Sequence, residues 1–153
     1  MKKFKFKLET VLKVKIRVEE ERLHQLQQAE LKRDEARARL VSCQAELGRV
    51  QTDYRQSLQH GFDRYLANDY HQYLLWLEQQ RQKAFRHLQE CQREAVRARQ
   101  ALLVAVKERK ILDKLKEHAY ETYQAAVLKA EINFLDELGT GRFIRQKQAQ
   151  GGN

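Results

Sequence analysis

Apolar residues recur at alternating three- and four-residue spacing along two long stretches of the chain. In the first stretch eight of ten such positions are apolar, and in the second thirteen of sixteen. The first seam consists of Leu26, Ala29, Arg33, Ala36, Leu40, Cys43, Leu47, Val50, Tyr54 and Ser57. The second consists of Leu74, Leu77, Arg81, Ala84, Leu88, Cys91, Ala95, Ala98, Leu102, Ala105, Arg109, Leu112, Lys116, Ala119, Tyr123 and Ala126. This heptad pattern predicts two helices that pack as a coiled coil.

Composition excludes most folds that are not helical. The 153 residues contain no proline and six glycines, and 33% of them are charged. Sandwiches and barrels need frequent turn residues, so this chain is a poor candidate for either. The abundant residue types, Leu, Ala, Glu, Gln, Lys and Arg, are strong helix formers. A mean hydropathy of -0.80 suits helices that bury only a seam rather than a multilayered core.

Turn and capping signals predict where the two helices begin and end. The first helix is predicted at about residues 8–59, because Gly61 is able to adopt the left-handed conformation that ends a helix. The connection is predicted at residues 60–68. Asp69 then begins a sequence that resembles a capping box, which predicts a second helix at about residues 69–138.

Two long helices joined by a short connection pair antiparallel. The predicted fold is therefore all-α, with residues 1–138 forming one antiparallel coiled-coil hairpin. Two glycines, at 139 and 141, are predicted to end the second helix and leave a flexible tail at 139–153. Matching the two seams predicts a register in which Cys43 lies opposite Cys91. The same register predicts two ion pairs across the hairpin, Asp53 with Arg81 and Glu19 with Lys116.

The first seventeen residues are strongly basic. They contain seven basic residues and one acidic residue, in a chain of net charge +9. The opening Lys-Phe-Lys-Phe-Lys alternates with period two, which is typical of an extended segment. Three functional interpretations stay open: a nucleic-acid arm in which Phe4 and Phe6 stack on bases, a membrane-surface segment, and a docking end for an acidic protein. The alternative to all three is a solvated, frayed terminus.

No sequence pattern indicates catalysis. The five histidines are scattered, and Leu-Gly-Thr-Gly-Arg near the C-terminus lacks the frame of a phosphate loop. Cys43 and Cys91 are predicted to be small seam residues, with a redox or metal role as the minor alternative. We therefore expect a protein that is not an enzyme and that uses no cofactor or metal. No stretch approaches eighteen apolar residues and no secretory signal is recognisable, which favours a cytoplasmic protein without a transmembrane segment.

Near the connection, a group of aromatic and aliphatic residues lies partly off the seam. Leu75 and Trp76 face away from the partner helix and are predicted to cluster with Tyr70, Tyr73 and Leu77. Exposed clusters of this kind often mark partner sites. The alternative is that the connecting loop covers them with Phe62, Tyr65 and Leu66.

A second off-seam group lies near the end of the second helix. Leu128, Ile132 and Leu135 form a stripe opposite the seam, flanked by Val127 and Phe134. A helix end that is apolar on several sides is usually enclosed, so a partner surface is one interpretation. The other is a stutter that moves the hairpin's own seam onto this stripe.

Three runs of sequence, taken in order, resemble the flagellar type III export protein FliJ family. The first is Phe-Lys-Phe-Lys-Leu-Glu-Thr-Val-Leu-Lys-Val-Lys at 4–15, followed by three glutamates at 19–21. The second is Tyr-His-Gln-Tyr-Leu-Leu-Trp-Leu-Glu at 70–78. The third is Ala-Glu-Ile-Asn-Phe-Leu-Asp-Glu-Leu at 130–138. Their order and spacing cover nearly the whole chain.

This resemblance implies a cytoplasmic antiparallel coiled coil similar to the central stalk of rotary ATPases. Such a protein sits in the pore of the hexameric export ATPase and promotes its assembly and turnover. It also contacts the cytoplasmic domain of the export gate membrane protein and binds export chaperones. The implied location is therefore peripheral to the inner membrane at the flagellar base. The alternative function, which rests on the charge of +9, is a basic coiled coil that binds nucleic acid or acts as an architectural adaptor.

The resemblance also implies two groups of binding residues. Tyr73 and Leu77 match positions linked to gate binding, and the residues around them complete the expected gate site. That site is Leu47, Tyr54, Tyr70, Tyr73, Trp76 and Leu77. The terminal half of the hairpin is expected to meet the ATPase through basic and apolar side chains. Those residues are Lys3, Phe4, Lys5, Phe6, Lys7, Lys13, Lys15, Arg17, Leu128, Ile132 and Leu135.

Overall fold

The computed structural model describes residues 3–151 and contains two long helices that pack against each other. Helix α1 spans Glu9–Gln59 and helix α2 spans Arg64–Gln150. No strand occurs between residues 3 and 151. The prediction of an all-α helical hairpin is confirmed.

The turn between the helices is shorter than predicted. Gly61 has a φ of 123°, which lies in the left-handed region, and it ends α1 as expected. Helix α2 then starts at Arg64 rather than near Asp69. The reason is that Asp63 caps the helix: its Oδ1 accepts a hydrogen bond of 2.9 Å from the backbone N–H of Tyr65.

Helix α2 does not end at the glycine pair that was predicted to stop it. It continues through Gly139 and Gly141 to Gln150, and neither glycine has a positive φ. A glycine inside a helix costs only about 1 kcal/mol relative to alanine, and no proline follows to force an end. Thr140 also donates its hydroxyl to the backbone carbonyl of Asp136, inside the same helix. The predicted helix end at residue 138 is therefore wrong; the flexibility of residues 139–153 stays a prediction.

Burial follows the predicted seam closely. All ten seam positions of α1 and fifteen of the sixteen in α2 are buried or half-buried, and Ala126 is the exception.

Packing divides the chain into two units, one of residues 18–106 and one of residues up to 17 with those from 107 onward. The first unit contains the main cluster of buried side chains, with Cys43 packed at its edge. That cluster is Ala36, Leu40, Ala84, Leu88 and Cys91.

Both units show antiparallel pairing, but the register differs from the predicted one by about one heptad. In one unit Lys116 pairs with Glu9 at 2.8 Å, whereas Glu19 was the predicted partner. In the other unit the ring centroids of Tyr54 and Tyr70 lie 5.1 Å apart. When one helix is shifted by one heptad along the other, the apolar seam of α1 still faces the apolar seam of α2. The heptad pattern alone therefore does not distinguish neighbouring registers. The shorter turn selects the observed one.

The predicted ion pair between Asp53 and Arg81 is also replaced. Arg81 pairs with Glu78 on its own helix, and Asp53 pairs with Arg49 at 3.2 Å. Residues three or four apart on one helix are neighbours, so these local pairs form without depending on the register.

The corrected register changes what we expect of the two cysteines. One heptad corresponds to about 10 Å along a helix, and a disulfide tolerates a Cα separation of only about 4.4–6.8 Å. Cys43 and Cys91 are both free thiols. Mild oxidation of the folded protein should therefore leave them unjoined within one chain, as measured by mass spectrometry of the alkylated protein. Oxidation in denaturant, where the chain closes freely, is the control, and a rapid disulfide in the folded protein would restore the original register.

Candidate functional site

The first residues described, 3–8, precede α1 and contain no helix or strand; we call them the N-terminal strap. Its lysines are exposed and its two phenylalanines half-buried, which confirms the predicted alternation. Phe4 packs edge-on against Tyr120, with ring centroids 5.2 Å apart, and its centroid lies 5.5 Å from that of Tyr123. Edge-to-face contacts of this kind are favourable. These contacts hold the strap against α2. They also occupy the Phe4 ring, which a nucleic-acid arm would need for stacking on bases.

An open groove of 1220 Å³ lies between the strap and α2. Its apolar lining comes from both sides, and the three lysines of the strap are also among the lining residues. The lining side chains are Lys3, Phe4, Lys5, Phe6, Lys7, Leu8, Leu115, Ala119, Thr122, Tyr123 and Ala126. A lining of apolar and basic side chains suits a partner segment that combines apolar and acidic side chains.

The other basic residues of the predicted ATPase site are not equivalent. Lys13 and Arg17 are exposed on α1. Lys15 instead forms an ion pair of 2.6 Å with Glu108 on α2. Sequence reasoning missed this pair, because finding it requires the register of the two helices. Lys15 therefore contributes to hairpin packing, while its two neighbours present their charge to solvent.

The apolar stripe near the end of α2 is fully presented to solvent. Leu128 is 58% exposed and Ile132 is 49% exposed, and Leu135 is exposed as well. Phe134 next to the stripe is also exposed, so the stripe is not covered by its own hairpin. The alternative of a stutter that re-phases the seam is therefore wrong for these residues. This stripe is a free apolar surface on a helix.

The aromatic cluster near the turn, here called the tip patch, consists of Tyr70, Tyr73, Leu75 and Trp76. Trp76 is 51% exposed and stacks on Tyr73, with ring centroids 5.8 Å apart and an interplanar angle of 12°. Tyr70 is half-buried against Tyr54 of α1. The stacked pair forms a rigid, flat surface whose exposed face is aromatic.

The connecting loop does not cover the tip patch. Phe62 and Tyr65 are themselves among the most exposed large side chains, and Leu66 is exposed too. The alternative in which these three residues fold over Trp76 is therefore wrong. Two other residues of the predicted gate site are less accessible: Leu47 is half-buried, and Leu77 is only 4% exposed because it belongs to the seam.

Two charged residues of α1 orient the tip patch. The hydroxyl of Tyr73 donates to Oε1 of Glu46 at 3.3 Å, and Arg49 pairs with the same carboxylate at 2.6 Å. The hydrogen bond from Arg49 lowers the pKa of Glu46 below its ordinary value, and the Tyr73 hydroxyl adds to this effect. The carboxylate therefore stays ionised as an acceptor for Tyr73. The sequence analysis did not identify Glu46. The i,i+3 spacing of Glu46 and Arg49 indicates their ion pair within α1, but no sequence signal indicates the contact of Glu46 with Tyr73 on α2.

Neither helix of the described chain contains an apolar stretch of the length and hydropathy that a membrane crossing requires. Across residues 3–151, no three His, Cys, Asp or Glu side chains converge as a set of metal ligands. The candidate sites described above are the groove and stripe in one packing unit and the tip patch in the other.

Comparison with known protein families identifies the chain. The model of the family described as "Flagellar FliJ protein" matches residues 4–148. The chain belongs to the FliJ family. The match begins in the strap and continues past the stripe, so it includes every surface described above. FliJ is a family of flagellar type III export components, and this chain is an export-related stalk protein of that family. No curated protein and no solved structure matches the chain.

Proposed function

We propose that this FliJ-family chain is a non-enzymatic coupling component of the export apparatus with two separate contacts. One is with the export ATPase hexamer, whose assembly and turnover it promotes. The other is with the cytoplasmic domain of the export gate membrane protein. Export chaperones are further partners. Its place is in the cytoplasm, peripheral to the inner membrane at the flagellar base.

The observation that carries the proposal is that each packing unit of a chain with a FliJ family match has an exposed cluster of large apolar side chains, the stripe in one unit and the tip patch in the other. Exposed apolar patches on a protein of this kind mark places where partners bind. A coupling protein needs two such places, because it has to engage two partners at once.

The terminal surface suits a socket in the ATPase ring. The stripe of Leu128, Ile132 and Leu135 supplies apolar area, and the exposed Lys13 and Arg17 supply positive charge in the same packing unit. Apolar contacts contribute most of the affinity, while charges at the rim steer and orient the encounter. The groove beside the strap offers a further apolar contact to an acidic segment of the ring.

The direct test is ATP hydrolysis by the purified export ATPase with and without the full chain. We expect the chain alone to hydrolyse no ATP and to raise the turnover of the ATPase in proportion to ring assembly. Ring assembly is followed in parallel by light scattering. Absence of both binding and stimulation would overturn the proposed role at the ATPase.

The tip patch suits the export gate. Its exposed stacked pair, Tyr73 and Trp76, is a rigid aromatic anchor of the type that dominates protein interfaces. Leu77 is buried in the seam of the same helix, so it acts on gate binding through the position of the patch rather than by direct contact.

Trp76→Ala is therefore expected to weaken binding to the gate domain by about tenfold or more, because truncating an aromatic anchor at the centre of an interface costs about 2 kcal/mol or more. Isothermal titration calorimetry with the purified gate domain measures the change. Phe85→Ala is the matched control, since Phe85 is an equally exposed aromatic residue of α2 outside the patch. Equal affinities of the two variants would remove the patch from the gate site.

A further inference from the structure

The last part of α2 has an exposed apolar face whose flanking charges change sign halfway along the segment. Between residues 128 and 150 the helix lies exposed, apart from the half-buried Gly141. One face of this segment carries the stripe and its continuation at helical spacing. The positions on that face are Leu128, Ile132, Leu135, Gly139, Phe143, Gln146 and Gln150. The apolar members of this face are all exposed.

The charges beside this face are divided into two halves. Before Gly139 the segment contains Glu131, Asp136 and Glu137, with Lys129 as the one basic residue. After Gly139 the charged residues are all basic: Arg142, Arg145 and Lys147. By helical periodicity Glu131 and Arg142 lie along one flank of the face, and Asp136 and Lys147 along the other.

We propose that this segment pairs with the same segment of a second copy of the chain, antiparallel and centred on Gly139. In that arrangement Leu135 of each copy lies against Phe143 of the other, and Ile132 lies against Gln146. Each acidic half faces the basic half of the other copy, so both flanks gain opposite charges. A parallel pair would instead place acidic against acidic and basic against basic, and flanking charges of this kind select orientation in coiled coils.

Gly139 is suited to the centre of such a pair. It has no side chain, and the position where a Cβ would stand has no atom within 4 Å. A glycine at a two-fold axis allows two helix backbones to approach closely. The charge pattern suits a second copy, since each half of one copy meets opposite charge on the other.

Sedimentation equilibrium of the full-length chain tests the proposal. With rising concentration we expect the mass to approach twice that of the 18.3 kDa chain. Leu135→Ser is expected to raise the dissociation constant at least about tenfold, whereas Leu103→Ser, at an exposed leucine outside the segment, leaves it unchanged. Circular dichroism of both variants checks that helicity is retained. A chain that stays monomeric up to several hundred micromolar, or a Leu135→Ser variant that dimerises normally, overturns the proposal.

Charge exchange tests the orientation. Arg142→Glu with Lys147→Glu makes both halves acidic and is expected to weaken dimerisation at least about tenfold. Adding Glu131→Lys and Asp136→Lys exchanges the charges on both flanks of the face, and this variant with four substitutions is expected to dimerise like the original chain. Failure of the exchange to restore dimerisation contradicts the antiparallel arrangement.

Crosslinking gives a second readout of the orientation. In a background with Cys43→Ala and Cys91→Ala, Gly139→Cys should join two chains on oxidation, because residue 139 meets its own counterpart. Leu128→Cys should not, because its counterpart lies at the far end of the segment. Equal crosslinking of both variants would show a parallel pair. The dimer uses the stripe that is also proposed to bind the ATPase, so ring and second copy compete for it, and the dimer is the form of the chain outside the ring. None of these measurements contains the ATPase or the gate, so their outcome is separate from that of the proposed function.

Discussion

Replacing Leu128 and Ile132 together by serine is expected to weaken binding to the export ATPase ring by about a hundredfold or more. Burying a leucine or isoleucine side chain contributes ~1.5–3 kcal/mol, and every 1.4 kcal/mol corresponds to a factor of ten in affinity. We expect most of the change in the dissociation rate, since mutations within one interface act mainly there. Surface plasmon resonance against the immobilised ring measures both rates.

The structure makes this variant a clean probe of binding. Both side chains are exposed and contribute nothing to the hairpin's own core, so circular dichroism should show unchanged helicity. Leu103→Ser with Ile111→Ser is the matched control, because it removes the same two residue types from exposed positions of α2 outside the stripe. If the control loses as much affinity as the stripe variant, or if the stripe variant loses helicity, the stripe is not the docking surface.

Leu88→Ala is expected to lower the free energy of unfolding by about 2–4 kcal/mol, in the range for leucine truncations that leave a cavity. Leu88 is 7% exposed and lies in the cluster that joins α1 and α2. Its neighbours in that cluster include Ala36 and Ala84, whose short side chains do not extend to fill the space. Chemical denaturation followed by circular dichroism measures the change.

The control for the core is a leucine of the same helix that faces solvent. Leu103 is 54% exposed, so Leu103→Ala is expected to change stability by no more than about 0.5 kcal/mol. Equal effects of the two substitutions would mean that the seam of α2 has no continuous partner on α1.

The parts of the fold that depend on local pattern could be predicted from the sequence. The seam was correct because heptad spacing places side chains on one face of a helix whatever the partner is. The alternation of the strap was correct because period two puts Phe4 and Phe6 on one side of the segment, where both are half-buried while the lysines are exposed. The end of α1 at Gly61 followed from the one backbone conformation that glycine adopts most easily.

The parts that depend on pairing could not be predicted. Neighbouring registers bury nearly the same apolar seam, so the choice between them rests on the turn, and Asp63 rather than Asp69 caps α2. The contact of Glu46 with Tyr73 joins the two helices and therefore depends on that register. The exposure of the stripe could not be predicted either, because sequence pattern does not separate a free apolar face from one that the hairpin covers.

Site-specific photocrosslinking in an assembled export complex tests the proposed coupling role most directly. A photoreactive amino acid replaces Ile132 in one variant and Trp76 in another. Ile132 should crosslink to the export ATPase, and Trp76 should crosslink to the cytoplasmic domain of the export gate. Crosslinking of both positions to the same partner, or of neither to ATPase or gate, would contradict the assignment of separate contacts to the two surfaces.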